Sequence, residues 1–171
     1  MKKKKFLNVL KGKTVALIFQ KPPTRTRVSF EVGIYQLGGK AITLNWNELQ
    51  LGRGETVEDT ARVLERYVDA VVARVFLHED LVKMAKASKV PIVNALSDYS
   101  HPCQGLADLF TIEEKIGLKR VSKIAYVGDG NNNVCHSLMF GCSKLGLNLF
   151  VGCPKGYEPR KEVVEKTDGI E

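Results

Sequence analysis

The fold is decided by residues 14–45, TVALIFQKPPTRTRVSFEVGIYQLGGKAITLN. This stretch opens with a short apolar run rich in β-branched residues, Thr14–Phe19, which predicts a strand. Residues 24–37 stop at a Gly-Gly pair and predict a helix, with apolar side chains at Val28, Val32 and Tyr35. A second apolar run, Lys40–Asn45, predicts another strand. A strand, a helix and a strand in this order predict a right-handed crossover between parallel strands.

The same alternation continues along the rest of the chain. Further helices are predicted at 56–67, 78–88, 102–116 and 134–145, and further strands at 69–74, 91–94, 123–127 and 147–151. This order predicts an α/β fold, a mainly parallel sheet with helices on both faces. The pattern restarts after Gly117. We therefore expect one domain at 1–117, with a linking helix at about 102–117, and an incomplete second α/β domain at 118–171.

Size and composition restrict the class of protein. The chain has 171 residues, of which 44% are hydrophobic and 26% charged, as is usual for a globular protein with a buried core. The sequence has no apolar run of membrane-spanning length and no signal-peptide pattern after its basic start, so we expect a cytoplasmic protein without a membrane span. Its 4 cysteines and 3 histidines lack metal-ligand spacing, so we expect reduced thiols and no metal site.

The formal net charge of +7 fits two classes of partner, a small anionic substrate or a nucleic acid. Proteins that bind single-stranded nucleic acid interleave aromatic side chains with basic ones. Here only Phe6 and Phe30 lie near the basic clusters, and Trp46 is isolated. The sequence therefore favours a small anion over nucleic acid. Binding to an oligonucleotide with a steep dependence on salt stays the alternative.

Polar residues follow several predicted strands at their carboxyl ends, where ligands bind in parallel sheets. The first such cluster is KPPTRTR at 21–27, between a strand and the start of a helix. Free backbone amides and the positive end of the helix favour an anion there. Thr24 and Thr26 add hydroxyl donors, and Arg25 and Arg27 add planar guanidinium groups suited to phosphate oxygens. The pattern is not that of a P-loop, and a capped helix start with surface arginines is the alternative.

Three more clusters follow later strands. Arg74 ends an apolar strand, where a buried guanidinium needs a counter-charge or a ligand. His101 and Gln104 lie at the start of a helix and can point together toward a neutral carbonyl or amide, although a histidine there can also serve as a cap. Residues 128–134, GDGNNNV, match a dinucleotide-binding motif poorly. Their asparagines indicate either hydrogen bonds to a polar ligand or an Asn-rich turn.

Together these segments resemble the aspartate/ornithine carbamoyltransferase family. The family's phosphate motif, Ser-Thr-Arg-Thr-Arg, is similar to PTRTR at 23–27, and its His-Pro-x-Gln motif is matched by HPCQ at 101–104. Within the family, the ornithine branch is indicated by Lys-Pro at 21–22, QLGRGE at 50–55 and GDGNN at 128–132. The resemblance runs over essentially the whole chain, with the motifs in matching order.

The resemblance implies transfer of a carbamoyl group from carbamoyl phosphate to the δ-amine of ornithine, giving citrulline and phosphate, with no metal or organic cofactor. It implies that Arg74, His101 and Thr26 are catalytic. The ligands that it implies for carbamoyl phosphate are Thr24, Arg25, Thr26, Gln50, Arg74, His101 and Gln104. It also implies that Asn132, or an adjacent asparagine, holds the ornithine backbone, and that Gln50 reaches a neighbouring site in a homotrimer. Aspartate or an acetylated ornithine is the alternative acceptor.

Two departures from the family pattern bear on activity. Pro23 stands where the motif has serine, which removes a hydroxyl and an amide from the phosphate cradle. Family chains are about twice as long, and their acceptor-binding segments correspond to positions beyond Glu171. The helix that normally precedes Lys5 also looks shortened. We therefore expect a fragment of a longer chain, inactive by itself.

Overall fold

The structure is a computed structural model that describes residues 7–21, 23–49 and 54–167. It consists of two compact units, Met1–Ala95 and Leu96–Glu171. The domain boundary expected at residue 117 stays a prediction.

The first unit is built around a sheet with strand order β2-β1-β3-β4. The strands are β1 (Thr14–Phe19), β2 (Lys40–Asn45), β3 (Ala70–Arg74) and β4 (Ile92–Leu96). The helices are α1 (Thr24–Gln36), α2 (Val57–Leu64) and α3 (His78–Ala87), and a 3-10 turn covers Trp46–Glu48. Strand β1 runs parallel to both β2 and β3. The expected α/β fold with a parallel sheet is confirmed.

Strand β1 is buried on both faces, which explains its continuous apolar sequence. Because successive side chains point to opposite faces, they enter two different hydrophobic clusters. Ala16 and Ile18 pack in one cluster with Met84 of α3, and Leu17 packs in the other with Ile34 of α1. Helices therefore cover both faces of this sheet and hold the ends of its strands in place.

Helix α1 forms where it was expected, but its apolar stripe does not face the core. Val28, Val32 and Tyr35 are 53%, 44% and 70% exposed, whereas Ile34 is 6% exposed and is the buried residue of this helix. The spacing of the stripe therefore predicted the helix correctly without identifying its buried side.

The second unit contains a pair of parallel strands and the helices packed on them. Its elements are α4 (Pro102–Lys115), a 3-10 turn (Leu118–Arg120), β5 (Lys123–Val127), α5 (Asn133–Leu145), β6 (Asn148–Gly152) and α6 (Lys161–Val164). Helices α4 and α5 approach closely at Gly141, where a Cβ would lie 2.5 Å from Leu109 Cδ1. Buried Met139 and Leu149 belong to the core between these elements. No helix in the described part of the chain is long and apolar enough to span a bilayer.

Candidate functional site

The carboxyl ends of β1 and β3 are joined by Gln20. Its backbone amide donates to the Arg74 carbonyl oxygen at 3.0 Å, and its side-chain oxygen accepts a hydrogen bond from the Phe76 amide. Both the backbone and the side chain of one residue therefore tie the two strand ends together. This arrangement fixes the position from which the Arg74 side chain leaves the sheet.

Helix α1 begins directly after β1 with no capping side chain. Pro23 occupies the N-cap position, the first turn carries no acidic residue, and the first helical bond runs from the Arg27 amide to the Pro23 carbonyl oxygen at 3.0 Å. The amides of residues 24–26 therefore have no acceptor within the helix. Such a helix end, with its positive dipole, favours a bound anion.

A cavity of about 270 Å³ lies at this helix end. It is lined by Lys21, Pro23, Thr24, Arg25, Thr26 and Arg74. Arg74 donates from its guanidinium to the hydroxyl oxygen of Thr26 at 3.0 Å, and this bond is partly buried. The cavity thus combines cationic side chains, two hydroxyl groups and amides without an acceptor in the helix, and the described residues of its lining include no carboxylate. This is the chemistry that a phosphate group requires.

The two arginines of the TRTR segment have different surroundings. Arg25 lines the cavity, whereas Arg27 pairs with Glu31 one helical turn later, Nε to Oε1 at 2.9 Å. Thr43 of β2 donates to the same Glu31 oxygen at 2.5 Å. The Thr43 hydroxyl, followed by the Arg27 guanidinium, lowers the pKa of Glu31. Both arginines were expected to serve phosphate, but Arg27 is paired with a carboxylate and is not in the cavity lining, so Arg25 is the arginine of this segment that faces the cavity.

His101 and Gln104 belong to the second unit, at the beginning of α4. The His101 amide donates to the hydroxyl oxygen of Ser137 in α5 at 2.7 Å, which anchors the start of α4. The exposed Gln104 side chain donates from Nε2 to Asp108 at 2.8 Å. Its Oε1 can accept a hydrogen bond from a ligand, and an amide oxygen suits the N–H groups of a carbamoyl moiety.

Each asparagine of the 131–133 run has a structural contact. Asn131 Oδ1 accepts from Arg160 Nε at 3.3 Å, and Asn132 Oδ1 caps α5 by accepting from the Val134 amide at 2.9 Å. Asn133 donates its Nδ2 to the Ser97 carbonyl oxygen at 2.7 Å. The Asn-rich turn is thus present, but Asn132 uses only its oxygen in it. Its Nδ2 group has no partner among the residues that the structure describes.

The residues expected to form the site fall into two groups. Thr24, Arg25, Thr26 and Arg74 come together at one cavity of the first unit. His101, Gln104 and Asn132 lie at the starts of helices in the second unit. Gln50 lies outside the described residues. No cluster of metal-ligating side chains occurs within residues 7–21, 23–49 and 54–167.

Sequence reasoning missed a polar segment after β6, at residues 156–160. Its Tyr157 carbonyl oxygen accepts from the Asn131 amide at 3.1 Å, and its Arg160 contacts the same asparagine. The segment follows the carboxyl end of a strand, as the other polar clusters do. That position was the signal that could have identified it.

Comparisons with known proteins point to one family. Residues 1–114 match the carbamoyl-P binding domain of aspartate/ornithine carbamoyltransferases, and residues 121–170 match the Asp/Orn binding domain of the same family.

Individual relatives agree with this match. Ornithine carbamoyltransferase of Thermococcus kodakarensis is 62% identical over 92% of this chain and 50% of its own length. The Methanocaldococcus jannaschii ornithine carbamoyltransferase is 53% identical over 98% of this chain and 55% of its own. The structure of the Pyrococcus furiosus ornithine carbamoyltransferase superposes with a TM-score of 0.88 at 58% identity, over 93% of this chain and 50% of that one. The chain thus spans about half the length of these relatives.

Proposed function

Because the chain belongs to the aspartate/ornithine carbamoyltransferase family, we propose that it takes part in carbamoyl transfer from carbamoyl phosphate to the δ-amine of ornithine, giving citrulline and phosphate. The observation that carries the proposal is the cavity at the start of α1, with Arg25 and Arg74 in its lining and Arg74 bonded to Thr26. We also propose that residues 1–117 form the carbamoyl-phosphate domain and that residues 118–171 begin the acceptor domain.

The phosphate group would be bound at the start of α1. Thr24, Arg25 and Thr26 present hydroxyl, guanidinium and backbone N–H donors to the cavity. These donors would also stabilise the charge that collects on the leaving phosphate as the C–O bond breaks. Carbamoyl phosphate is already activated, so no metal or organic cofactor is expected, and the protein contributes orientation and electrostatics.

The carbamoyl group would be polarised by Arg74, His101 and Thr26. The amine nitrogen attacks the carbonyl carbon, negative charge develops on the carbonyl oxygen, and hydrogen-bond donors lower the barrier by stabilising that charge. The bond from Arg74 to Thr26 supports this role because it orients the guanidinium and the hydroxyl together. Gln104 would accept a hydrogen bond from the carbamoyl NH₂ through Oε1.

The acceptor would be ornithine, held in part by Asn132. The cap bond to Val134 orients the Asn132 side chain and leaves its Nδ2 group to donate to the acceptor's carboxylate. The family includes enzymes that use aspartate, so the acceptor has to be tested directly.

The active assembly would be a homotrimer in which Gln50 reaches the site of a neighbouring subunit. The exposed stripe of α1 supports the assembly, since Val28, Val32 and Tyr35 present apolar surface that a second copy of the chain could cover. Val32→Glu should then shift the protein toward monomers in sedimentation analysis. An unchanged sedimentation coefficient would exclude α1 from the interface.

The proposed reaction is tested with protein expressed from its complete reading frame. Citrulline formation is measured with ornithine, and product formation is measured in parallel with acetylated ornithine and with aspartate. We expect citrulline from ornithine, and loss of that activity in Arg74→Ala. Faster product formation with either other acceptor would reassign the substrate. No product with any acceptor, together with salt-sensitive oligonucleotide binding, would favour the nucleic-acid alternative.

A further inference from the structure

The segment after β6 packs directly on the asparagine loop, which we define as residues 128–133. A Cβ at Gly130 would lie 2.7 Å from the Tyr157 carbonyl oxygen and 2.8 Å from Pro159 Cδ, so only glycine allows this contact. The Asn131 amide donates to the same Tyr157 oxygen at 3.1 Å. The shape of the asparagine loop is therefore set in part by residues that come about thirty positions later.

Arg160, at the end of this segment, contacts two different loops. Its Nε donates to Asn131 Oδ1 at 3.3 Å, and its NH2 group donates to Asp98 Oδ2 at 3.4 Å. Its guanidinium also lies 5.6 Å from the centre of the Tyr99 ring, a cation–π distance. A planar guanidinium with several donors can bridge such partners, whereas a lysine ammonium is a single point of charge.

The two loops that Arg160 bridges are also held together beneath it. Asn133 Nδ2 donates to the Ser97 carbonyl oxygen at 2.7 Å. The imidazole Nδ1 of His136 lies 2.9 Å from the Tyr99 carbonyl oxygen, so this nitrogen carries the proton and donates it. The backbone between residues 97 and 100 leads directly to His101, and Asn131 directly precedes Asn132.

We propose that Arg160 is a positioning residue for the acceptor: it holds the asparagine loop in the shape in which Asn132 can bind ornithine. The inference rests on the proposed function. Arg160 would not itself bind the acceptor, because its guanidinium is already shared among Asp98, Asn131 and the Tyr99 ring. Loss of the bridge would loosen the asparagine loop and leave the phosphate cavity of the first unit unchanged.

The test compares Arg160→Gln with wild type, both expressed from the complete reading frame. We expect the KM for ornithine to rise about tenfold, as for loss of one charge-assisted hydrogen bond, while carbamoyl phosphate affinity stays within about twofold. Arg160→Lys should recover part of the ornithine affinity by keeping the charge beside Asp98 and Tyr99. Lys161→Gln is the matched control, because it removes one positive charge at an exposed neighbouring position.

Hydrogen exchange of the amides at 130–134 gives a second readout, and we expect faster exchange in Arg160→Gln than in Lys161→Gln. If wild type forms citrulline and Arg160→Gln keeps the wild-type KM for ornithine, the positioning role is wrong and the proposed function stands. If wild type forms no citrulline, the proposed function fails and the inference fails with it. If Arg160→Gln does not fold, Asp98→Asn, which removes one partner of the bridge, should show a smaller rise in the same KM, and an unchanged value would overturn the inference.

Discussion

The phosphate cavity of the first unit and the loops around Arg160 in the second both lie at the carboxyl ends of strands, yet they use polar side chains in opposite ways. In the cavity, the described lining residues around Arg25 include no carboxylate, and the first amides of α1 have no acceptor within the helix. Around Arg160, the side chains of Asn131, Asn133 and His136 all bond to neighbouring groups. The cavity keeps its donors for a ligand, whereas the loops use theirs to hold a shape. Removal of a charge should therefore weaken ligand binding at the cavity, whereas removal of a contact should loosen the shape of the loops.

The largest expected effect is loss of turnover in protein that consists of these 171 residues alone. The 171 residues include the groups assigned to carbamoyl phosphate but, for ornithine, only Asn132 and its neighbours. Orientation of reactants can supply about 7–11 kcal/mol of a barrier. Purified protein of these residues alone should make no citrulline above background, and a chain extended by the second half found in relatives should make it. A normal rate of citrulline formation by the 171 residues alone would contradict this prediction.

The next largest effect is expected at the phosphate cavity itself. Arg25→Ala should weaken carbamoyl phosphate binding by about 1.5–3 kcal/mol, since it removes a charged hydrogen-bond donor. Titration calorimetry on the folded variant measures the loss. The control is Arg66→Ala, at an exposed position in the turn after α2, which changes the net charge equally. Equal losses in both variants would mean that the effect comes from overall charge and not from the cavity.

A pH effect on stability is expected from the second unit. Burial lowers the pKa of His136 below 6.5, because the charged imidazolium is poorly solvated there. A histidine whose pKa is lowered by folding stabilises the folded protein at pH values above its pKa in the unfolded chain, which is near 6.5. This stabilisation is lost as the pH falls toward the lower pKa of the folded state. The melting temperature should therefore drop by a few degrees between about pH 7 and pH 5. His136→Gln should flatten this dependence, and an unchanged dependence in that variant would contradict the assignment.

The smallest effect is expected at Pro23. A serine at the N-cap of α1 could offer a hydroxyl and an amide to the phosphate, so Pro23→Ser should leave the affinity for carbamoyl phosphate unchanged or raise it by up to about 1 kcal/mol. Calorimetry with both proteins at equal ionic strength is sufficient. A clear loss of affinity would show that the rigid proline ring positions the start of α1, and that the departure from the family motif is not a deficit.

Most of the architecture was predictable from local pattern. The strands Thr14–Phe19, Lys40–Asn45 and Lys123–Val127 have the predicted ends, because each is a compact apolar run between turn signals. Helix α2 ends at Leu64 although the apolar pattern continues to Val68, which is buried just after the turn that follows the helix. The short helix α6 was missed, since four residues give too little periodicity to recognise.

Residues of the candidate site could be predicted only where the type of side chain and its position in the sequence indicate a ligand without knowledge of distant contacts. Thr24, Arg25 and Thr26 could be chosen because hydroxyl and guanidinium groups at a strand–helix junction favour phosphate. The contacts of Arg160 could not be predicted, because its partner Asp98 lies 62 residues away in the sequence and no local pattern indicates that the two side chains are in contact. The pairing of Arg27 with Glu31 follows helical spacing, but the Thr43 hydroxyl that completes it comes from another strand.

The bridge that Gln20 makes between β1 and β3 has a thermodynamic consequence for ligand binding. Because both its amide and its side chain are engaged, the backbone that carries Arg74 loses its conformational freedom when the chain folds. Association with an anion then has to restrict mainly the exposed side chain of Arg25. Preorganisation of this kind reduces the entropic cost of association. Gln20→Ala should therefore make the binding entropy of carbamoyl phosphate less favourable, although Gln20 is absent from the cavity lining.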